Sequence, residues 1–540
     1  MQTSMVSRLS TYVAAALLLL ASILPAAAQT TSPPFMPLEI TNIGTIGVRG
    51  LDANNRIFRA YPGLAYNIRV AAVGGVYPFT YSLANAPSGM TIDPNTGEIN
   101  WPNPQTTATD VRVTVQDRIG AIDTETWSIN VTTTGFRFLD AVNGRPASNN
   151  GCSSSCGTGS FTSPWRTLGD LALNDDPTII TYLKAGTYLV TDIPASSKEG
   201  VGSVWERYTF NEDSRSTFAG SVIWIAYPGQ TPVIDFGYRA STGAVGAMIR
   251  HLGHNVYMDG LETINNRIIG FQWGADGNYR GGTYRKLRMH AGGPGGDGSN
   301  ASFIMTLTSP PAVSYGMVVQ NCAFYDINIT NVDDMVALKV YSQTKLLVED
   351  TTQYNMWKAT ELKADVERYT VRHNTFFNLR GAAIGGNMHG CSRCNADGSD
   401  LLRTGGEISF NNARSADMSL DLNQDGMAVR TYIHRNTLVG RVQVRNTDSA
   451  DGPFYFSRNV IVTGDAGTPA GSHIYLYSVS DPSRIVLSEN LTGYPSDNIV
   501  DASGFLTSGF SQWVGTRGFQ TTTSTGNAPA APTNLRIITQ

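Results

Sequence analysis

Charge is scarce in this chain, and what there is nearly cancels. Only 15% of its 540 residues are charged, 39 basic against 43 acidic, for a formal net charge of −4. No basic field is available to hold a phosphate backbone, so nucleic acid is not expected as a partner. Nor is there the strong single-sign charge of a disordered polyelectrolyte. Beyond the N-terminus no apolar run is long enough to cross a bilayer as a helix. Cysteine is sparse too: there are five, in two close pairs, Cys152/Cys156 and Cys391/Cys394, with Cys322 left over. What abounds is Gly (55) and Pro (25), the residues of turn-rich β-structure.

The N-terminus explains the cysteine pairs. Arg8, the apolar stretch Val13 to Leu24 and Ala26-Ala-Ala28 before Gln29 have the order of an export signal over residues 1–28. The chain is therefore expected to be secreted or periplasmic, where each pair forms a local disulfide. Cys391-x-x-Cys394 lacks the second ligand pair of a zinc site and the βαβ surroundings of a redox pair, so a loop staple is expected. Cys322, in the strand-like run Val318 to Phe324, is expected as a buried free thiol.

Between Lys339 and Tyr494 the sequence repeats about every 23 residues. The segments at 346–352, 369–375, 408–414, 432–438, 454–460 and 485–491 are short alternating apolar strands. All but the first run into an Asn: 374, 412, 436, 459 and 490, with Thr351 in the slot of the first. A repeat of this length with a strand in each unit predicts a solenoid. The Asn residues are expected to take left-handed backbone and to stack into an amide ladder. Wider-spaced rungs at 222–227, 256–261, 284–289 and 317–321 precede them, and the Gly-rich span 270–299 is expected as a longer loop. Within it Asp276/Asn278 and Asp297/Asn300 lack full calcium-loop spacing and read as turns.

The expected order is thus a signal over 1–28, a Pro/Ser/Thr linker over 29–37, a β-sandwich over 38–134, the solenoid over 135–510 and a tail over 511–540. In the second of these, residues 68–73, 79–83, 111–115 and 127–131 alternate like half-buried strands, with a tight turn at Asp93-Pro-Asn-Thr-Gly97. The stretch Pro78 to Trp101, with its Ser-Gly-Met-Thr-Ile-Asp…Thr-Gly-Glu-Ile…Trp core, resembles the bacterial cadherin-like Ig domains. That resemblance implies a spacer or adhesive module, and Trp101 is expected as a packing residue rather than a sugar platform. Residues Phe136 to Asp140, Gly157-Thr-Gly159, Ser163 to Leu171 and Thr178 to Tyr188 resemble the opening of secreted right-handed parallel β-helix proteins. There the stretch Leu168–Leu173 would be the helix that plugs the open end. Pro532 to Ile537 is similar to the first strand of a fibronectin-type module cut short.

A parallel β-helix turns alternate strand residues outward into columns about 4.8 Å apart, a ready groove for an extended polymer. Aligning Ala337-Leu-Lys339, Glu361-Leu-Lys363, Ile384-Gly-Gly386, Asp421-Leu-Asn423 and Gln443-Val-Arg445 points Leu338, Leu362, Leu422 and Val444 inward. Lys339, Glu361, Lys363, Asp421, Asn423, Gln443 and Arg445 then face out, with Asn387 and His389 beside them. In this register Lys339 and Lys363 are one rung apart, a repulsion of about 3 kcal/mol at ~5 Å and an effective dielectric near 20. Such a lysine is primed to act as a base. An exposed polar face that blocks edge association is the plainer account of the same column.

The stretch Glu361 to Gly390 resembles the central rungs of the chondroitinase-B and alginate lyase family. The resemblance implies a base at Lys363 that removes a uronate C5 proton. With the outward column, His389, Lys339 or Arg445 is then expected against the substrate carboxylate, and Asn387, Asn423 and Gln443 are expected to bind sugar. The resemblance further implies a Ca2+ ion, which Glu361 or Asp421 would help to seat. The family's Arg is missing, since Gly385-Gly386 or Asn387 stands in its place. Asn331-Val-Asp-Asp334 resembles the paired-Asp rung of polygalacturonase-type hydrolases, whose later Arg-Ile-Lys rung is absent. The expectation is a monomeric all-β protein, an Ig-like sandwich followed by a right-handed parallel β-helix, that cleaves an acidic polysaccharide by β-elimination. A non-catalytic adhesin and an Asp-dependent hydrolase are the alternatives.

Overall fold

The computed structural model describes residues 36–513, apart from segments 49–50, 177, 195–197, 202–205, 211–221, 240–246, 252–253, 267–268, 274–278, 294–301, 307–313, 328–335, 364–365, 388–404, 424–429, 448–451 and 468–469. The export signal, His389, Cys391, Cys394, Asp333, Asp334, the two calcium-like turns and Pro532 to Ile537 lie outside the described residues. Among the described residues no helix is long and apolar enough to cross a membrane.

Alternation decides the sandwich. Val111, Val113 and Val115 along Ala108–Gln116, and Trp127 and Ile129 along Ile122–Val131, turn inward and are buried. A four-stranded sheet (59–60, 122–131, 108–116, 80–84) and a three-stranded sheet (66–69, 98–101, 91–92) enclose them. Trp101 is buried in this core and its indole N–H donates to the Ser88 carbonyl.

From Phe136 onward the chain is a right-handed parallel β-helix with three faces. The first is a continuous parallel sheet of twelve strands, from Phe136–Leu139 to Ile485–Ser488. Its inward column Val319, Val348, Val371, Ile408, Ile433 and Phe456 is fully buried and in register rung on rung. The second and third faces run as separate strands in the lower rungs. They fuse into single bent strands at Asn412–Asn423 and Thr437–Thr447. The expected loop over 270–299 is instead crossed by strands at Ile269–Trp273, Thr283–Arg285 and Arg288–Gly292, because its apolar residues join the core.

The helix Leu168–Ala172 plugs the lower end. Thr167 accepts from the Asp170 N–H and Asp170 accepts from the Thr167 N–H, a reciprocal cap, while Leu168 and Leu171 enter the solenoid core. Cys152 and Cys156 are bonded to each other nearby. Cys322 is free and buried, and burial pushes its thiol up to about 12.

The amide ladder exists, in a register one residue off the expected one at one position. Thr351, Asn374, Asn411, Asn436, Asn459 and Asn490 form it, each Asn Nδ2 donating to the next Oδ1 at 3.0 Å. Asn411 replaces Asn412, which bonds the Ser503 carbonyl instead. The left-handed residue is also not the Asn but the one before it. Asp350, His373, Phe410, Arg435, Arg458 and Glu489 all have φ between 53° and 58°. The kinked residue turns outward, and the next one drops its side chain into the core. The same slot continues downward as Cys322, Leu287 and Leu261, whose carbonyls accept from the next rung as the Asn carbonyls do.

The sandwich is not a detached spacer: it packs along the outside of the first face. Tyr61 and Leu64 pack with Phe136, Phe138 and Tyr182 at the base. Higher up, Arg69 reaches Asp350 at 2.5 Å and Glu349 at 3.4 Å, and Arg372 bonds Glu349 at 2.8 Å. Glu98 pairs with Arg285 at 3.2 Å and Lys286 at 2.6 Å. Burial alone would raise the Glu349 and Glu98 carboxyls. Arg372 and Arg69 around the first, and Arg285 and Lys286 around the second, outweigh it and hold both at about 2. A carboxylate whose folded value lies below its unfolded value near 4.5 stabilises the fold fully above that value. That contribution drains away as pH falls from there through about 2. Melting temperature is therefore expected to fall between pH 5 and 3, and Glu349→Gln to flatten that slope.

Candidate functional site

The third face carries the expected polar column, in two files rather than one. Lys339 pairs in register with Glu361, and Tyr341 with Lys363. Glu361 then pairs with Gly385, Gly385 with Asp421 and Asp421 with Gln443. The second file runs from Asn387 through Asn423 to Arg445. The structure thus sets Lys339 and Lys363 two residues out of the expected register, so that they are diagonal neighbours and not directly opposite. Lys339 is fully buried with its ammonium 3.2 Å from Glu361. Both lysines approach the Tyr341 ring, its centre 6.0 Å from Lys339 Nζ and 5.7 Å from Lys363 Nζ.

Gly385-Gly386 turns out to create the site instead of breaking it. Gly386, not Gly385, occupies the inward slot between Leu362 and Leu422. Its φ is 148°, and a Cβ would lie 1.9 Å from the Leu362 carbonyl oxygen. At Gly385 a Cβ would lie 2.9 Å from the Asp421 carbonyl oxygen. A rung without side chains leaves a notch of about 110 Å³ lined by Lys358, Thr360, Glu361, Lys363, Ala382, Gly385, Gly386, Asp421 and Arg445. Gly386→Ala is expected to cost about 1–3 kcal/mol by overpacking against Leu362. A thermal melt checks this, and the strand shift that relieves the clash should also spoil the notch.

The notch walls hold three cations, Lys358, Lys363 and Arg445, against two carboxylates, Glu361 and Asp421. Both carboxylates are engaged. Glu361 has Lys339 at 3.2 Å and Lys358 at 3.8 Å. Asp421 accepts both arms of the Arg445 guanidinium at 2.9 Å and the Gln443 amide at 2.8 Å. Such an arrangement favours an anionic guest. The two carboxylates expected to hold Ca2+ are two rungs apart with a glycine between, each already neutralised. Among the described residues no group of three or more His, Cys, Asp or Glu is gathered as a metal site.

Of the expected site residues, Glu361, Lys363, Asp421 and Arg445 come together. Lys339 lies behind them, and Asn423 and Gln443 are buried alongside, Asn423 accepting from Asn446. The Asn387 backbone continues the strand Ile384–Asn387. Lys358 and Thr360 were missed. Strict alternation from Leu362 would send Lys358 inward, but Ala359 and Leu362 are both core residues. The strand bends between them, and Lys358 swings out to sit three residues from Glu361.

No curated protein matches this sequence. A solved rhamnogalacturonan lyase superposes with a TM-score of 0.43 at 13% identity, over 71% of this chain and 99% of that one. The pectate lyase Pel9A gives 0.36 at 14%, over 69% and 82%. The family 28 exopolygalacturonase of Yersinia enterocolitica gives 0.33 at 11%, over 88% and 100%. At such identities none of them lends residue roles to this chain. Residues 52–132 match the family model described as "Putative Ig domain", so the protein joins an Ig-like domain of that kind to a parallel β-helix.

Proposed function

We propose that this is a secreted protein that binds an acidic, uronate-containing polysaccharide along its third face and cleaves it by β-elimination at the Gly385–Gly386 notch. The observation that carries this reading is the notch itself, with three cations converging where both carboxylates are already neutralised. The Cys152–Cys156 disulfide suits an oxidising compartment. Lys358 and Arg445 would neutralise the uronate carboxylate and so acidify the adjacent C–H. Lys363, as the free amine, would take that proton; the electron pair becomes the new C=C bond, and the C–O bond to the leaving sugar breaks. The departing oxygen takes a proton from water. The bidentate lock of Asp421 on Arg445 favours a second reading, a groove that holds the polymer without cutting it.

Alginate, pectate and glycosaminoglycan substrates, each assayed for unsaturated ends, reducing ends and binding, separate these readings. Lys363→Ala is expected to lower elimination by about 10²–10⁴-fold, the range for loss of a general base, with binding retained. Reducing ends without unsaturation would replace elimination by hydrolysis. Binding with no product from any substrate would leave the groove a binding site.

A further inference from the structure

Away from the notch, the three lowest rungs enclose a second concavity. Asp140, Lys184 and Tyr227 each follow the end of a first-face strand, after Leu139, Leu183 and Ala226, which pair in register. The Lys184 N–H donates to the Leu139 carbonyl at 2.9 Å and the Tyr227 N–H to the Leu183 carbonyl at 2.7 Å. The three residues therefore stack where the chain turns from the first face to the second. With Val142, Asn143 and Gln230 they line a cleft of about 330 Å³. That volume is at the lower end of the range for small-molecule sites. The cleft stands five rungs below the Gly385–Gly386 notch, roughly 24 Å along the solenoid, and on a different side of it.

Each wall is fixed by its own local sequence. The Asp140 carboxylate accepts from the backbone N–H groups of Val142 and Asn143 at 3.1 and 2.8 Å, which curls its loop around it. Tyr227-Pro-Gly-Gln230 is a tight turn: Pro228 presets the first corner, and Gly229, with φ of 75°, takes the left-handed second. The Gln230 N–H donates back to the Tyr227 carbonyl at 2.9 Å, and its side-chain oxygen accepts from the Ala185 N–H at 2.7 Å. The Gln230 amide nitrogen and the Tyr227 hydroxyl have no hydrogen-bond partner among the described residues. Lys184 Nζ lies 3.3 Å from the Asp140 carboxylate and 5.8 Å over the Tyr227 ring centre.

Charge distinguishes this cleft from the notch. Its one ammonium and one carboxylate are in contact and cancel, so neither an anion nor a cation is drawn in. What remains is an aromatic face beside a matched donor and acceptor. A sugar ring fits that set. Its C–H face can lie on the tyrosine, while neighbouring hydroxyls, each donor and acceptor at once, bond the ammonium, the carboxylate and the Gln230 amide. A zwitterion would have to part Lys184 from Asp140 to engage both its ends, whereas hydroxyls bridge the pair intact. We infer that this cleft binds a neutral sugar residue, as a carbohydrate-binding site separate from the third-face groove. It needs no cleavage at the notch and stands or falls without Lys363.

Saturation-transfer NMR and titration calorimetry of the full chain with cellohexaose, mannohexaose, galactohexaose and xylohexaose test it. Saturable binding of at least one of them is expected. Tyr227→Ala and Lys184→Met should each weaken that binding by about 10-fold or more, and Tyr227→Phe, which keeps the platform, by less than about 3-fold. Asp140 retains its two backbone donors in Lys184→Met, so that variant decides the matter even where Tyr227→Ala does not fold. Absence of saturable binding of any of these sugars overturns the site, as does binding that survives both Tyr227→Ala and Lys184→Met. Tighter binding of hexagalacturonate that is lost in Tyr227→Ala overturns the assignment to a neutral sugar. Binding of free alanine and of no sugar overturns it in favour of a zwitterion.

Discussion

Glu349→Ala is expected to destabilise the protein by about 3–5 kcal/mol, the cost of stranding buried charge. Glu349 sits between Arg69 of the sandwich and Arg372 of the solenoid, and the three side chains are 4% exposed or less. Removing the carboxylate leaves two guanidiniums out of water with Asp350, paired with Arg69, as the remaining ion-pair partner among the described residues. An exposed ion pair would cost less than about 1 kcal/mol, so the size of the effect separates a true buried seam from loose surface contact. The double replacement Glu349→Ala with Arg372→Met should recover part of the loss, since it removes the stranded charge along with its partner. Denaturation midpoints of the three variants check this, and a loss under 1 kcal/mol in the single variant would contradict the packing described.

Asn436→Ala is expected to cost about 2–4 kcal/mol, whereas Asn412→Ala should cost about 1 kcal/mol. Asn436 Oδ1 accepts from both the backbone and side-chain N–H groups of Asn411, and its Nδ2 donates to the Ile408 carbonyl and to Asn459. Alanine orphans the Asn411 backbone N–H in a fully buried place and opens a gap in the ladder. Asn412 donates one bond to the Ser503 carbonyl, and its own oxygen has no partner among the described residues even in the parent chain. Equal effects from the two substitutions would show that the ladder is not anchored at Asn411 and Asn436.

The solenoid was legible because its period and its apolar alternation are written in local sequence. The plugging helix, the Cys152–Cys156 pair and the buried Trp101 follow from equally local signals. Register was not so legible. Asn411-Asn412 offers two identical candidates, and only the direction of a single left-handed kink at Phe410 decides which one enters the core. On the third face, alternation counted back from Leu338 and Leu362 misaligned Lys339 by two residues. The bends that place Ala337 beside Leu338, and Ala359 beside Leu362, in the core are three-dimensional facts. Gly385-Gly386 looked like a missing catalytic rung, since an absent side chain carries no motif; in three dimensions that absence is the notch. The docking of the sandwich was invisible, because its ion pairs join residues 187 to 306 positions apart, such as Glu98 with Arg285 and Glu39 with Lys345.

The contacts between the sandwich and the left-handed turn residues also bear on how such a chain can change length over time. A free solenoid gains or loses whole coils at little cost, because each coil touches only its neighbours. Here the coils carrying Lys286, Asp350 and Phe410 are each indexed to a fixed point on one rigid body, Glu98, Arg69 and Tyr77. Inserting a coil among them would slide every later contact by about 4.8 Å and set wrong partners opposite one another. Duplication and deletion are therefore confined to the coils above Phe410, and the stretch from Lys286 to Phe410 behaves as a gauge whose number of turns is locked.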